Sequence, residues 1–371
     1  MNLPAKMKAV RFFEYGDPSV LKYIDVDLPE MGDDDVLIRV QATAINSFDV
    51  RYRNGILANS RIPGRADWPM PFQLGRDGAG DVVAVGRNVT RWKIGDRVVQ
   101  MIAPACGQCP MCLLQQENLC TNIAYPGHQI FGAYAQYISR PQETILPIPA
   151  NVSYEIAGST LWAYTTPFGC AMRRAPTGIG KTVVITGASG GLALASLQLA
   201  KLGGARVIGT TTKIERRERL MELGYDDIVD INDPHVGEHI KRLTNGLGAD
   251  ACWETIGGSR FLALALSMIR LGGTIAVIAT PNEHSGSNVE VPSSAFIFYE
   301  LNLMGVRGGT RHDQQVIMEL LGQGKIRPVI DRAFPLSAAA EAHAYLEGQN
   351  AIGKVILLPQ EGSVPVNFAT A

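Results

Sequence analysis

The chain has 371 residues, of which 46% are apolar and 19% charged, and its formal net charge is −1. This length exceeds the usual size of one hydrophobic core, so a globular protein of two domains is expected. Basic and acidic residues are mixed along the chain, which argues against a nucleic-acid or anionic-lipid partner and favours a small-molecule substrate.

The N-terminal segment MNLPAKMKAVRFFEYG lacks the apolar core of a signal peptide. Among the most apolar windows, FLALALSMIRLGGTIAVIAT is interrupted by Arg270 and by the pair Gly272 and Gly273, so no membrane span is predicted. We therefore expect a cytoplasmic protein, in a compartment where disulfides rarely persist.

Residues 1–156 are predicted to form a mostly antiparallel, barrel-like domain. Short alternating runs such as DVLIRVQA and AGDVVAVG indicate strands, and Asp, Gly and Pro turns separate them. No long helical period interrupts this part of the chain.

Four of the six cysteines lie in the loop CGQCPMCLLQQENLC, at Cys106, Cys109, Cys112 and Cys120. Ligands this close on tight turns can converge on one ion, and zinc takes four thiolates tetrahedrally. An iron–sulfur cluster also uses four thiolates, but the spacing differs from the common ferredoxin runs, and reduced cysteines without metal are a third interpretation. Four cysteine ligands leave no position for water or substrate, so the lobe at 104–122 is predicted to hold one structural Zn²⁺ ion.

The segment KTVVITGASGGLALASLQLAKLGGARVIGTT predicts a strand at 183–185, a glycine turn, a helix and a strand at 206–209. The turn carries Gly187, Gly190 and Ala193, a spacing one position away from the G-x-G-x-x-G fingerprint. Small residues there let a pyrophosphate approach the backbone and the helix N-terminus. Further apolar runs, DACWETIG, GGTIAVIAT and NLMGVRGG, predict a parallel sheet with helices on both faces over residues 157–310.

The end of the second strand, GTTTKIERRER, predicts the choice of cofactor. An acidic residue there would hold the ribose of NAD, whereas hydroxyls and cations suit the 2′-phosphate of NADP(H). NADP(H) is therefore favoured, although Arg216 and Arg217 can instead pair with Glu215 and Glu218 on the next helix. The predicted cofactor-binding residues are Gly187, Ser189, Gly190, Gly191, Leu192, Thr211, Thr212, Lys213, Arg216, Thr255, Ile278 and Gly308.

After residue 311 the sequence predicts a helix in DQQVIMELLGQGK and a final strand in GKVILLP. We expect residues 311–371 to return to the first domain. A cleft between the two domains is the expected place for substrate to meet cofactor.

The chain resembles the medium-chain dehydrogenases and reductases, the superfamily of zinc-containing alcohol dehydrogenases and quinone oxidoreductases, over nearly its full length. The cysteine loop matches the structural zinc lobe of that superfamily. The resemblance implies a GroES-like, partly open β-barrel catalytic domain, a Rossmann cofactor domain, hydride transfer from nicotinamide, and a homodimer or homotetramer. The matching segments include GDPSVLKYIDVDLP, VQATAINSFDVRYRNG, LGRDGAGDVVAVG, KIGDRVV, GAYAQY, TGASGGLALASLQLAKLGGARVIGTT and GKIRPVID.

Alcohol dehydrogenases of this superfamily hold a second, catalytic zinc with a cysteine, a histidine–glutamate pair and a further cysteine or aspartate. At the matching positions this chain has Asn46, then Arg76 and Asp77, and by alignment Gly158. An arginine is always protonated and has no acceptor atom, so it cannot ligate zinc. We therefore expect no catalytic zinc and no Lewis acid that acts on an alcohol or a carbonyl.

Asn46 resembles instead the quinone oxidoreductase and enoyl reductase branch, whose members lack catalytic metal and whose matching asparagine lies near the nicotinamide. In conjugate reduction the carbonyl oxygen needs only hydrogen-bond donors and a source of protons. The candidate catalytic residues are Asn46, Tyr52 and Arg76. Two alternatives stay open: Arg76 can be a structural partner of Asp77 or Asp81, and Tyr52 can pack under the barrel.

The leading prediction is therefore an NADPH-dependent reductase of activated alkenes, quinones or related carbonyl compounds. One alternative is an alcohol or aldehyde dehydrogenase that uses Arg76 as its electrophile, and another is an NADPH-binding redox sensor without turnover. The histidines add little: His128 in YPGHQIFGAYAQY is predicted to be a loop residue, with a place at the border of the cleft as the alternative.

Overall fold

The computed structural model describes residues 3–57, 70–280, 291 and 293–363, together with the backbone of 366–367. The strands within these ranges are β1 (Lys6–Arg11), β2 (Lys22–Asp27), β3 (Asp35–Ile45), β4 (Ala79–Val85), β5 (Arg97–Gln100), β6 (Tyr137–Pro141), β7 (Ile145–Pro147), β8 (Thr182–Ile185), β9 (Arg206–Thr211), β10 (Asp227–Asp230), β11 (Ala249–Glu254), β12 (Ile269–Val277), β13 (Asn302–Gly305), β14 (Ile330–Pro335), β15 (Lys354–Leu358) and β16 (Val366–Asn367). The helices are α1 (Ser47–Arg53), α2 (Pro110–Leu113), α3 (Tyr154–Ala157), α4 (Leu161–Gly169), α5 (Gly191–Leu202), α6 (Arg217–Glu222), α7 (Val236–Leu243), α8 (Ser259–Met268), α9 (Ser293–Phe298), α10 (Arg311–Gly322) and α11 (Ala339–Glu347).

The chain divides into two units. Unit 1 comprises Met1–Trp162 and Gly309–Ala371, and unit 2 comprises Ala163–Gly308. The helix and the strand that the sequence predicts after residue 311 are α10 and β15. Within the described ranges, no helix combines the length and the apolarity that crossing a bilayer requires.

Unit 1 is built on a sheet in the order β16-β14-β15-β3-β4-β5-β7, with β6 also paired to β3. Strands β14 and β15 run parallel, and the other neighbours are antiparallel. The long β3 pairs with β4 and β6 along its first part and with β15 at its end. Its alternating residues Val36, Ile38 and Val40 are buried in one core cluster with Val82 and Val98. The antiparallel first domain predicted from the sequence is confirmed.

The end of β3 positions the polar residues of unit 1. It leads directly into α1 with Asn46 as the N-cap residue, and the Asn46 N–H donates to Asp49 at 2.8 Å. Strand β15 pairs with this end of β3, with Val355 opposite Ile45. Lys354, the first residue of β15, therefore reaches the start of α1, although it lies 308 positions from Asn46 in the sequence.

Unit 2 is a sheet of six parallel strands in the order β10-β9-β8-β11-β12-β13. Strand β8 is an inner strand of this sheet, and its residues Val183, Val184 and Ile185 are therefore fully buried. The chain moves outward from β8 on one side through β9 and β10, and on the other side through β11, β12 and β13. This is the doubly wound order in which ligands bind where the direction of winding reverses, and it confirms the predicted fold class.

Candidate active site

The four cysteines of the predicted zinc lobe converge in unit 1. Their Sγ atoms all lie within 4.8 Å of one another. The separations are 3.5 Å between Cys109 and Cys112, 3.5 Å between Cys106 and Cys120, and 4.0 Å between Cys106 and Cys112. Thiolates bound to a tetrahedral zinc at about 2.3 Å lie about 3.8 Å apart, so these side chains are spaced as a zinc site requires.

The environment of the four thiols also suits a bound cation. Backbone N–H groups of Thr121 and Cys112 lower the pKa of Cys109 to about 5, whereas burial raises the pKa of Cys112 to about 12. Such a group of thiols ionises together only when a metal ion supplies positive charge. In the part of the chain that the structure describes, no other group of three or more His, Cys, Asp or Glu side chains has metal-site geometry.

The turn between β8 and α5 meets the requirements of a pyrophosphate site. Gly187 has a φ of +66°, and a Cβ atom there would lie 3.0 Å from the side chain of Ile256. Gly190 is the N-cap residue of α5, whose twelve residues give a helix N-terminus for an anion. The predicted residues of this turn are all at least partly exposed: Gly187, Ser189, Gly190, Gly191 and Leu192.

The end of β9 carries the residues predicted to select the cofactor. The strand extends to Thr211, which is buried and whose Oγ1 accepts a hydrogen bond from the Lys213 N–H at 3.0 Å. Thr211 therefore shapes the turn after the strand. Thr212 is exposed, and Lys213 and Arg216 are partly exposed, so a hydroxyl and two cationic side chains border this end of β9.

Arg217 is directed away from this group. Its Nη1 donates to the carbonyl oxygen of Ile228 at 2.9 Å, and its Nη2 lies 3.8 Å from Asp227. These contacts tie α6 to β10. Lys213 and Arg216 are the two other cationic side chains that border this end of β9.

Glu254, which was not among the predicted site residues, connects the ends of β8 and β11 through hydrogen bonds. The buried carboxylate accepts hydrogen bonds from the Thr186 hydroxyl at 3.1 Å and from the Gly257 N–H at 2.9 Å. Thr255 N–H in turn donates to Thr186 Oγ1 at 2.9 Å, and Ile278 N–H donates to the Glu254 carbonyl at 2.9 Å. Thr255 and Ile278 therefore lie together at the carboxyl ends of adjacent strands. Gly308, the last residue of unit 2, has a φ of +47°.

Arg76 is a buried guanidinium enclosed by aromatic rings. Its side chain is 4% exposed, and its Cζ lies 4.5 Å from the ring centre of Trp162 and 4.8 Å from that of Tyr125. The rings of Tyr52 and Phe48 follow at 5.6 and 5.9 Å. Nε donates to the Pro126 carbonyl at 3.3 Å, whereas Nη1 makes no hydrogen bond within the described residues. Nη1 of this cation can therefore donate a hydrogen bond to a ligand.

Tyr52 and His128 form a polar pair beside Arg76. The Tyr52 hydroxyl lies 2.8 Å from His128 Nδ1, and both residues are buried. Arg76 Nη2 donates to the Tyr52 hydroxyl at 3.3 Å and lies 3.4 Å from His128 Nδ1. Tyr52 does not merely pack under the sheet, because its hydroxyl lies between a cation and an imidazole.

Asn46 belongs to a second buried network. Its Nδ2 donates to Asp77 Oδ2 at 3.1 Å, and its Oδ1 accepts a hydrogen bond from Lys354 Nζ. Lys354 Nζ also lies 3.8 Å from Asp77 Oδ2, and the other oxygen, Oδ1, accepts from the Trp162 N–H at 2.9 Å. Both ends of the Asn46 amide are thus engaged by protein groups.

Burial dominates the electrostatics of this network. It raises the pKa of Asp77, an effect opposed by the charge of Lys354, and it lowers the pKa of Lys354. Burial also raises the pKa of Asp49 to about 6, even though the N–H groups of Asn46 and Gly75 and the charge of Arg76 favour its carboxylate form.

The structure brings the three predicted catalytic residues into one unit and adds others. Trp162, rather than Gly158, contacts Arg76 and Asp77: a Cβ at Gly158 would instead approach the Ala42 carbonyl at 2.6 Å. Lys354 and Trp162 were not expected in the site, whereas His128 was considered as a residue bordering the cleft but was predicted to be a loop residue.

Comparisons with known proteins agree with this architecture. A family model described as an alcohol dehydrogenase GroES-like domain matches residues 32–150, and one described as a zinc-binding dehydrogenase matches residues 191–323. An NAD-dependent alcohol dehydrogenase of Sulfurisphaera tokodaii is 29% identical, over 95% of this chain and 100% of its own. The human quinone oxidoreductase is 27% identical, over 95% of this chain and 98% of its own.

Solved structures extend the likeness to three dimensions. The crystal structure of an NAD-dependent alcohol dehydrogenase superimposes with a TM-score of 0.86 and 31% identity, covering 95% of this chain and 100% of that one. The two family models together span more than half of the chain, in the order of the two units. The chain therefore belongs to the medium-chain dehydrogenase/reductase superfamily of oxidoreductases, with a GroES-like unit and a Rossmann unit.

Proposed function

We propose that this oxidoreductase uses NADPH, without a catalytic zinc, to reduce an activated alkene, a quinone or a related carbonyl compound. The observation that carries the proposal is that Arg76 is buried and that its Nη1 makes no hydrogen bond within the described residues. By the resemblance, Arg76 stands at the position of a catalytic zinc ligand in the alcohol dehydrogenases. The nearby Asn46 amide and Trp162 are not zinc ligands either. The four cysteines of the lobe are proposed to hold one structural Zn²⁺ ion per chain.

Arg76 supplies what conjugate reduction requires at the substrate oxygen. When bound, the nicotinamide would supply hydride to the β-carbon of the alkene, and negative charge would then develop on the carbonyl oxygen. The uncommitted Nη1 of Arg76 donates a hydrogen bond to that oxygen. Because the guanidinium is already held by Pro126 and Tyr52, it needs no reorganisation as the charge develops.

Tyr52 is the proposed source of the proton. Its hydroxyl gives a proton to the α-carbon of the enolate, or to the oxygen of a quinone, which completes the addition of hydride and proton. Arg76 stabilises the phenolate that is left, and a proton from water restores the hydroxyl, which His128 Nδ1 holds in place 2.8 Å away. The pair is reset without a metal ion.

The preference for NADPH is proposed from the end of β9. Lys213 and Arg216 flank exposed Thr212, and Thr211 stands where an acidic residue would select NAD. Two of the compared proteins are NAD-dependent by name, so both nucleotides are compared in the experiment below. A homodimer or homotetramer in the cytoplasm stays a prediction.

The test is steady-state oxidation of NADPH and NADH with a panel of enones, quinones and enoyl thioesters, alongside alcohol oxidation. Replacing Arg76 by Met should lower kcat on the best conjugated acceptor by about 10²- to 10³-fold, because one oxyanion donor is lost. R97M is the matched control, since Arg97 also stacks on a ring, that of Tyr154, at 4.4 Å. Alcohol oxidation without any alkene or quinone reduction would exclude the proposal.

A second candidate is an alcohol dehydrogenase that uses Arg76 as its electrophile. The alcohol dehydrogenases among the relatives favour it. It predicts turnover of alcohols that survives removal of metal and is lost in R76M. Tight NADPH binding with no turnover on any substrate would point instead to a redox sensor.

A further inference from the structure

Lys354 and Asp77 form a buried ion pair at the centre of unit 1. Their side chains are 6% and 0% exposed, and Lys354 Nζ lies 3.8 Å from Asp77 Oδ2. The ammonium also donates a hydrogen bond to Asn46 Oδ1. Burying such a pair costs desolvation free energy, so its presence alone is weak evidence that it stabilises the fold. Its role is therefore inferred from its contacts.

The contacts of Asp77 lead to the surroundings of Arg76. One carboxylate oxygen accepts the Trp162 N–H at 2.9 Å, near the start of α4, and the other accepts from Asn46 Nδ2 at 3.1 Å. Among the aromatic rings that the structure describes, the indole of Trp162 is the nearest to the Arg76 guanidinium, at 4.5 Å. Asp77 thereby joins β15, the start of α1 and the start of α4 around one cation.

We propose that Lys354 and Asp77 are positioning residues of the reaction: Lys354 keeps Asp77 ionised, and the ionised Asp77 holds Trp162 and Asn46 around Arg76. The inference rests on the proposed role of Arg76 as the group that contacts the substrate oxygen. Lys354 and Asp77 act through it and do not contact the substrate.

The charged groups that face Asp77 determine how its pKa would change if the charge of Lys354 were lost. Lys354 from β15 and the adjacent Arg76 favour the carboxylate, whereas Asp49 from α1 opposes it. Tyr134, buried and neutral, faces Asp77 and Asp49, and its own pKa is raised. Burial raises the pKa of Asp77 against these cations. Without the Lys354 charge, Asp77 therefore takes up a proton at a higher pH than in the wild-type protein.

The test compares K354M with K354R and with K325M, a control at an exposed lysine. We expect K354M to gain an acidic limb in its kcat profile, falling about tenfold per pH unit below the new pKa of Asp77. Activity should recover as the pH rises, because the carboxylate is the form that holds Trp162. K354R and K325M should keep the wild-type profile.

A charge-balanced variant keeps the test decisive if K354M does not fold. The double variant D77N/K354M has no buried unpaired charge, and we expect it to fold with a low kcat that shows no acidic limb. A K354M or D77N/K354M protein with the wild-type kcat and pH profile would overturn the proposal.

A readout that needs no substrate separates this inference from the proposed function. In protein labelled with 5-fluorotryptophan, the ¹⁹F resonance of Trp162, assigned with W162F, should titrate with pH in K354M but not in the wild type. The resonance of Trp92 serves as the internal control. Failure of every acceptor would refute the proposed function, whereas a Trp162 resonance that does not respond in K354M would refute the positioning pair.

Discussion

Arg76 carries its charge in surroundings that leave it available to a ligand. Four aromatic rings of the described residues lie within 6 Å of its Cζ, and each such contact is worth about 0.5 to 2 kcal/mol. Two cations, Arg76 and Lys354, are balanced in this cluster by two carboxylates, Asp49 and Asp77. A neutral substrate oxygen can therefore approach Arg76 without leaving an unpaired buried charge.

Tyr52 is predicted to act in proton transfer rather than in packing. Replacing it by Phe keeps the ring against Phe48 and His128 but removes the hydroxyl between Arg76 and His128. We expect kcat for alkene reduction to fall by about 10²- to 10⁴-fold, with little change in NADPH affinity. Y23F, at an exposed tyrosine, is the control, and a kcat for Y52F within twofold of the wild type would contradict the assignment.

Asp49 is predicted to make stability depend on pH. Because burial raises its pKa to about 6, the folded protein keeps this proton in a range where the unfolded chain has released it. This proton therefore stabilises the folded protein at low pH. As the pH rises from about 4 to 6, the free energy of unfolding falls by about 3 kcal/mol.

The variant D49N, neutral at every pH, measures this effect. Its free energy of unfolding relative to the wild type should increase by roughly that amount between pH 4 and pH 7. Urea denaturation at several pH values provides the measurement. A difference between the two proteins that does not change with pH would show that Asp49 is not protonated in the folded state.

Helix α10 shows how the cysteine lobe connects to the rest of unit 1. The helix begins after Thr310, whose Oγ1 accepts from the Asp313 N–H at 3.2 Å, and Asp313 accepts from the Thr310 N–H at 2.7 Å. A third N–H of this first turn, that of Arg311, donates to Glu117 Oε2 at 2.7 Å. Glu117 lies in a short 3₁₀ helix directly before Cys120, so a folded lobe supplies a cap to α10.

The capping role of the lobe predicts a coupling between metal and helix. E117Q should lower the free energy of unfolding by about 1 kcal/mol in protein with an intact lobe, because a charged acceptor at the helix N-terminus is lost. In a C120S background, where the lobe no longer orders Glu117, the same substitution should have almost no effect. Equal losses in both backgrounds would mean that the cap does not depend on the metal site.

At the scale of the whole molecule, the sequence predicts what depends on local patterns. The cysteine spacing, the glycine turn with Gly187 and the buried strand at 183–185 each lie within a few residues, and the structure places them accordingly. The contacts of Lys354 and His128 could not be predicted because their partners are distant, 308 positions away at Asn46 and 76 positions away at Tyr52. Only the pairing of β15 with β3 brings the first of these contacts together.

The central proposal is that this oxidoreductase acts through Arg76 and without a catalytic metal, and its most direct test is the zinc content of active protein. Elemental analysis of protein purified without added metal should give about one zinc per chain, and none in C120S. Two zinc ions per chain in the wild type, with one retained in C120S, would contradict the account and place a metal ion in the active site.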